Sequence, residues 1–311
     1  MTIQSHERIL MTGAAGNLGR EMRDRLKANC AVLRLSDRQA FGEARPGEEV
    51  QLAELADAQA VSALVQGVDA IVHFGGISVE GPFDPILAAN IVGIVNLYEA
   101  ARKHGVRRVV FASSNHVTGF YRQSETIGVD AAPRPDGFYG LSKAFGEDVA
   151  RFYFDRYGIE TACVRIGSSF PEPRDRRMLA TWMSFDDLHR LITACLTTPV
   201  LGWSVIYGMS DNAVTWWDNT GARHIGYKPQ DSSDVFRDAV YARTSAPDLA
   251  DPAVQFLCVA QFLQGGGVLL RGDGRIEGGG QRDLLGVEIT CHAIEINSGS
   301  CSTHFERVTT V

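Results

Sequence analysis

The stretch "TGAAGNLG", residues 12–19, constrains the fold of this chain more than any other feature. It follows an apolar run, "RILM", and opens a segment of helical period, "NLGREMRDRLKAN". Gly13, Gly16 and Gly19 recur every third residue. Glycines so spaced between a strand and a helix permit a tight turn and a close approach of backbone to a pyrophosphate. The helix N-terminus then faces that group. A glycine turn with no ligand is the alternative, and the strand-loop-helix setting argues against it. Asp37 ends the next apolar run, "AVLRLSD". A carboxylate there accepts hydrogen bonds from adenosine ribose hydroxyls and repels a 2′-phosphate, so NAD is expected rather than NADP. Arg34 and Arg38 pull the other way, because a guanidinium can pair with that phosphate; Asp37 as a plain turn residue is the remaining alternative.

Apolar runs and helical patterns alternate through residue 111. Strands are read in "RILMTG", "AVLRLSD", "DAIVHFGG" and "RRVVFASS", and helices in "AQAVSALVQ" and "ILAANIVGIVNLYEAARKHG", the last ended by Gly105. Further on come a helix, "KAFGEDVARFYFDRYG", and strands "ETACVRIGSSF" and "WSVIYGMS". This order predicts an α/β fold, a doubly wound Rossmann-type parallel sheet with helices on both faces. The strands are apolar throughout, as strands covered on both faces are. Residues 1–256 are expected to form one dinucleotide-binding domain. A small C-terminal substrate-binding region falls mainly in 168–245. Residues 257–311, glycine-dense and without either periodicity, are expected to be an atypical, poorly ordered tail.

With 45% hydrophobic and 22% charged residues, the chain has the composition of a soluble globular protein. Its net charge of −7 excludes a general nucleic-acid binder and offers no basic patch to a membrane. The N-terminus lacks the pattern of a signal peptide, no run is long and apolar enough for a membrane span, and the expected location is the cytoplasm. The six cysteines show no CxxC pairing and read as reduced thiols. "CSTH" at 301–304 lacks paired spacing, so no metal is expected.

"YGLSK", residues 139–143, puts a phenol and an ammonium four residues apart, on one face of a helix. A lysine cation near a phenol favours the phenolate, which makes Tyr139 a candidate acid/base. Ser114 ends "VVFASS" at the carboxyl edge of its strand, where ligands of such sheets bind; a strand-end cap is its other reading. Oxidation of an alcohol needs the hydroxyl proton removed as the hydride leaves. Tyr139 as base, Lys143 tuning it and Ser114 orienting the oxygen supply that.

Together "TGAAGNLG", Asp37, Asn90, "FASSNH" and "YGLSK" resemble an extended short-chain dehydrogenase/reductase, over roughly residues 8–256. "HFGGISVE", "SSNHVTGFY", "RPDGFYGLSKAFGED" and "RIGSSFPEPRDRRMLATWMS" narrow the resemblance to the bacterial uronate dehydrogenase family. It implies NAD-dependent oxidation of D-galacturonate and D-glucuronate at the anomeric carbon to the aldarolactone. By that resemblance Asn17, Leu18, Gly75, Gly76 and Lys143 join the three glycines and Asp37 at the cofactor. Glu54 and Leu55 follow the third strand and bracket the adenine, and Ser169 lies beside the nicotinamide. Ser78, Asn115, His116 and Ser168 match positions that hydrogen-bond the sugar, with a core histidine as the other reading of His116. Arg177, in "RDRRM", matches the carboxylate clamp, while Arg174 and Arg176 read as solvated charges. Asn90 is either a support for the site's backbone or water, or a helix-helix hydrogen bond. The chain departs from the family in having Glu54 for an aspartate, and Val268 where a closing aromatic is expected.

Two other functions fit the motifs. A nucleotide-sugar epimerase or dehydratase uses the same cofactor domain, but needs a larger C-terminal region than the one before residue 257. A non-catalytic dinucleotide sensor has no use for an intact Ser114, Tyr139 and Lys143. A homo-oligomer is expected by analogy with the superfamily.

Overall fold

The computed structural model describes residues 6–245, Leu269–Leu270 and Ile276–Glu277. The chain divides into two units, residues 1–261 and 262–311. In the first, the order is β1 (His6–Thr12), α1 (Asn17–Leu26), β2 (Cys30–Ser36), β3 (Glu48–Val50), α2 (Ala58–Val65) and β4 (Ala70–His73). Then come α3 (Phe83–Ile86), α4 (Gly93–His104), β5 (Arg108–Ser114), β6 (Ile127–Gly128), α5 (Phe138–Tyr157) and β7 (Glu160–Ile166). α6 (Met178–Thr181), α7 (Phe185–Thr197), β8 (Trp203–Gly208), β9 (Trp217–Asp218) and α8 (Arg237–Arg243) complete it. Of the second unit, the described residues are an antiparallel pair, β10 (Leu269–Leu270) and β11 (Ile276–Glu277). The rest of the tail, Val268 and Cys258, Cys291 and Cys301 included, lies outside the described residues.

Seven strands form one parallel sheet in the order β3-β2-β1-β4-β5-β7-β8. The expected doubly wound architecture is therefore present. Alternate residues of each strand feed two separate cores. Ile9, Met11, Leu33 and Leu35 pack with Met22 and Leu26 of α1 and with Leu188, Leu191 and Cys195 of α7. Leu10, Ile71, Val109 and Phe111 face the other way, onto α2, α4 and α5 through Leu64, Leu97, Tyr98 and Ala150. This is why the strands carry apolar residues on both faces. β1 has β2 on one side and β4 on the other, so the order reverses there, and a crevice opens at the strands' carboxyl ends.

The helix ends obey local chemistry. Asp57 caps α2 by accepting from the Gln59 and Ala60 amides, and Ser184 caps α7 by accepting from Asp187 N–H. Gly105 and Gly158 close α4 and α5 in the left-handed conformation. α4 continues a short π-helical turn, Leu87–Val92, which contains Asn90. Two features escape a periodicity reading: the three-residue edge strand β3, and the two-residue pairing of β6 with β9.

Two buried charged groups organise the rest. Glu147 of α5 receives Arg165 of β7 in a bidentate pair, Nε to Oε1 at 3.0 Å and Nη2 to Oε2 at 2.8 Å, and Ser113 Oγ donates to Oε1 at 2.6 Å. Asp187 at the start of α7 is fully buried and accepts from Arg190, Ser210 Oγ and the Gln230 and Asp231 amides, pinning the chain after β8. Removing one partner of a buried pair leaves the other charge uncompensated. Glu147→Ala is therefore expected to lower stability by about 3–5 kcal/mol in urea denaturation, and Arg165 exchanged together with Glu147 for apolar residues to lower it far less.

Candidate active site

The crevice at the β1/β4 switch is a cleft of about 730 Å³. Its cofactor half starts with the glycine loop. Gly13 adopts φ +73°, and a Cβ there would stand 2.6 Å from the Phe74 carbonyl carbon. A Cβ on Gly19 would stand 2.1 Å from Gly13 O, so the loop closes this tightly only with glycine at both places. Asn17 and Leu18 open α1 and line the cleft with Gly13, Gly16 and Gly19. Asp37 Oδ2 accepts from Ala15 N–H at 3.0 Å and Oδ1 from Gln39 N–H at 3.1 Å. The carboxylate thus ties the glycine loop to the end of β2 while still lining the cleft.

The competing arginines separate. Arg34 is committed to Glu49 Oε2 at 2.6 Å and to the Leu64 and Gln66 carbonyls, and only Arg38 lines the cleft. Glu54, exposed, and Leu55, half-buried, follow β3 and also line it. Gly75 N–H donates to Thr12 Oγ1, which bonds His73 Nδ1 at 2.6 Å. Burial, with the Lys143 charge behind it, pushes His73 down to about 3. Gly76 takes φ +120°, and a Cβ there would meet Asn90 Oδ1 at 2.6 Å.

Both readings of Asn90 hold. Its Oδ1 accepts from Ile77 N–H at 2.8 Å, and its Nδ2 donates to Ile77 O at 3.0 Å and across to Ser142 Oγ of α5 at 2.8 Å. Asn90 makes these bonds from within the π-helical turn Leu87–Val92, a geometry frequent at functional sites.

The other half is built on α5 and the end of β5. Tyr139 and Lys143 are both buried and share one face of α5. Lys143 Nζ donates to Ala112 O at 2.8 Å, 5.0 Å from the Phe111 ring centroid and 5.8 Å from that of Tyr139. Burial pushes the ammonium down to about 8. Ser114 Oγ accepts from His116 N–H at 3.2 Å and donates, at 3.4 Å, to Asn115 Oδ1. α5 reaches the sheet closely because its small residues leave room: a Cβ on Gly140 would meet His116 O at 2.5 Å, and one on Gly146 the Phe111 ring at 2.6 Å.

His116 is held through Nδ1 by both oxygens of buried Asp136, at 3.0 and 2.8 Å, with its ring edge-on to Tyr139 at 5.4 Å. Ser168 Oγ pairs with Thr181 Oγ1 at 2.9 Å. Ser169 Oγ is buried without a hydrogen-bond partner among the described residues. Ser78, Ser114, Asn115, His116, Ser168, Ser169 and Arg177 line the same cleft as the glycine loop.

Of the two arginines expected as solvated charges, Arg176 differs from the expectation. Arg176 donates to Thr244 O at 2.8 Å and lies 4.2 Å from the Tyr241 ring centroid, fixing α8. Arg174 is exposed but lines the cleft, its guanidinium 3.9 Å from the centroid of Phe170. Sequence reasoning passed over Asp136, although the "PDG" before the tyrosine marks a turn there. It also passed over Glu80, whose carboxylate accepts from the Phe138 and Tyr139 amides at 3.0 Å each, and for which no local signal exists.

The residues fit a dinucleotide. A glycine cradle that a Cβ would fill, an acidic side chain at the end of β2 and an orphaned Ser169 hydroxyl all face one cleft. Among the described residues, no group of three or more His, Cys, Asp or Glu is placed to hold a metal ion, and no helix is long and apolar enough to cross a membrane. Cys163 and Cys195 are buried and Cys30 half-buried, all free thiols.

Residues 9–185 match the model of the NAD dependent epimerase/dehydratase family. The chain is 57% identical over 253 residues to the uronate dehydrogenase of Pseudomonas syringae pv. tomato, covering 80% of this chain and 90% of that protein. It is also 57% identical over 257 residues to that of Pseudomonas putida, covering 82% and 96%. Among solved structures, a variant of the Agrobacterium tumefaciens uronate dehydrogenase complexed with NAD aligns with a TM-score of 0.79 at 53% identity, over 81% of this chain and 95% of that one. By its sequence, its sheet and its cleft, the chain belongs to the NAD dependent epimerase/dehydratase family and, within it, to the uronate dehydrogenases, which are NAD-dependent oxidoreductases.

Proposed function

We propose that the chain oxidises D-galacturonate and D-glucuronate at the anomeric carbon to the aldarolactone. The observation that carries this reading is the common cleft, in which Tyr139, Lys143 and Ser114 share walls with a glycine phosphate loop and with Arg177. NAD bound at the glycine loop supplies the hydride acceptor. Everything else falls to side chains. Tyr139 takes the proton of the C1 hydroxyl as the hydride leaves C1. Ser114 Oγ accepts the His116 N–H, and its own proton, held by Asn115 Oδ1 only in a long 3.4 Å bond, transfers to the substrate oxygen as a hydrogen bond when substrate enters. Lys143 sits under the Tyr139 ring with its Nζ fixed on Ala112 O, so its charge favours the phenolate.

Arg177 clamps the uronate carboxylate, a role that a local cation has to fill in a chain of net charge −7. Ser78, Asn115, His116 and Ser168 hydrogen-bond the sugar. With its Nδ1 held by Asp136, His116 is left to meet it through Nε2. Asp37 and Glu54, with Leu55, hold the adenosine end, and Ser169 offers its unpaired hydroxyl beside the nicotinamide. The exposed stripe of Phe138, Leu141, Phe145 and Phe152 on α5 supports a homo-oligomer, expected as a sedimentation mass of at least twice the chain's.

The test is NADH formation by the purified chain. Galacturonate and glucuronate are expected to react with NAD and poorly with NADP, while galactose and glucose, lacking the carboxylate, stay silent. Tyr139→Phe is expected to lose at least about 100-fold in kcat and to keep its NAD affinity. A folded, NAD-binding chain that oxidises no uronate sinks the reading.

The buried lysine gives a second prediction. Burial lowers the Lys143 amine from 10.5 to about 8, so between those values the folded chain has released a proton that the unfolded chain keeps. The unfolded state binds more protons there, and stability rises with pH across the window. Lys143→Met removes this dependence. Urea midpoints are expected to show the wild type gaining on the variant as pH rises from about 8 to 10.5; a constant difference contradicts the assignment.

A further inference from the structure

The wall that carries Ser78 is segment 76–82 of the connection 74–82 between β4 and α3, and two residues staple it. At its start, Asn90 binds both the N–H and the C=O of Ile77. At its end, Glu80 reaches across to α5. Oε1 accepts from Phe138 N–H and Oε2 from Tyr139 N–H, each at 3.0 Å. These are orphan donors of the first helical turn, which a side chain at the cap position ordinarily satisfies. Here that position is Gly137, which has no side chain to offer. The cap of a 20-residue helix therefore comes from a residue 58 positions earlier in the chain.

Gly137 itself is shaped to that carboxylate. Its backbone is extended, φ −177°, a conformation open to any residue. A Cβ there would nevertheless meet Glu80 Oε2 at 2.2 Å and its Cδ at 2.6 Å. A side chain at 137 would thus push the carboxylate aside, so it is the space that Glu80 occupies, and not the backbone, that favours glycine here. One of the two amides that Glu80 grips belongs to Tyr139.

We propose that Glu80 is a positioning residue, which caps α5 from the β4–α3 connection and thereby fixes Tyr139 against the wall bearing Ser78. A cap that only stabilised the helix could stand anywhere near Gly137. This one joins the base-bearing turn to the loop that carries Ser78, so that the two move together or not at all. In its kinetic arm the proposal rests on the reading of Tyr139 as the base in uronate oxidation.

The test compares the full-length wild type with Glu80→Ala, Glu80→Gln and Gly137→Ala. Three quantities are measured: turnover of galacturonate, affinity for NAD, and amide hydrogen exchange by mass spectrometry. Glu80→Ala and Gly137→Ala are expected to lose about 10- to 100-fold in kcat, the scale of a misplaced catalytic group, with NAD affinity unchanged. Glu80→Gln recovers part of the loss, because an amide oxygen still accepts one of the two bonds. Exchange is expected to quicken together in segments 76–82 and 137–142 and to stay as it was across the glycine loop. Unchanged kcat in Glu80→Ala, or loss of protection and NAD affinity over the whole chain, overturns the proposal. A wild type that binds NAD but oxidises no uronate sinks the uronate reading alone. In that case the exchange data decide: joint release of the two segments upholds the staple, and unchanged protection removes it. If Glu80→Ala does not fold, Gly137→Ala and Glu80→Gln are read by the same criteria.

Discussion

The pairing of Glu147 with Arg165 fixes where α5 stands, and most of the site follows from that. Both side chains are removed from water, which is costly, and the geometry offsets the cost only because it is bidentate and because Ser113 and Tyr207 take up remaining bonds. An ion pair so built adds little stability relative to an apolar contact. What it does contribute is registry, since a helix slid by one turn would strand both charges. Four residues before Glu147 stands Lys143, whose ammonium meets Ala112 O of β5. Four before that stands Tyr139. The three share a helix face, so anchoring one directs the others at the carboxyl end of β5, where Ser114 lies.

Close approach completes the constraint. Gly140 and Gly146 bring the α5 backbone within reach of the His116 carbonyl and the Phe111 ring, and larger residues there would lift the helix off the sheet. With the helix held down, the Lys143 amine is desolvated and its affinity for a proton falls. A charge in such a place acts strongly on a neighbouring phenol, because little water screens it. The wall bearing Ser168 depends on a separate anchor, the fully buried Asp187, which gathers Arg190, Ser210 and the backbone near residue 230 beside the Trp182–Met183 segment that pairs with Ser168.

Much of this was legible in the sequence because its causes are local. The glycine loop declares itself by spacing and context. The two-sided sheet shows in strands with no polar face, and Tyr139 and Lys143 fall on one face by helical period alone. What stayed hidden depends on partners far along the chain. Nothing near Arg34 says that Glu49 and the Leu64 and Gln66 carbonyls at the end of α2 claim it, or that Arg176 spends itself on Thr244. Glu80 sits in a plain loop, and only the fold brings it to the amides of α5. The π-turn at Asn90 carries no compositional mark, and β3, β6 and β9 are too short to show a period. Asp136 was the nearest miss, since a buried carboxylate beside a histidine is visible only when the turn before Tyr139 is seen folded under it.

The central claim is that this cleft takes a hydride from the anomeric carbon of a uronate, with Tyr139 receiving the hydroxyl proton. The most direct test follows the isotope. Galacturonate carrying deuterium at C1 is turned over with NAD, and the reduced cofactor is analysed by mass spectrometry. The account predicts that the C1 deuterium is recovered in the cofactor, alongside a lactone product. Deuterium retained on the sugar while the cofactor is reduced, or a label lost from another carbon in its place, would contradict it.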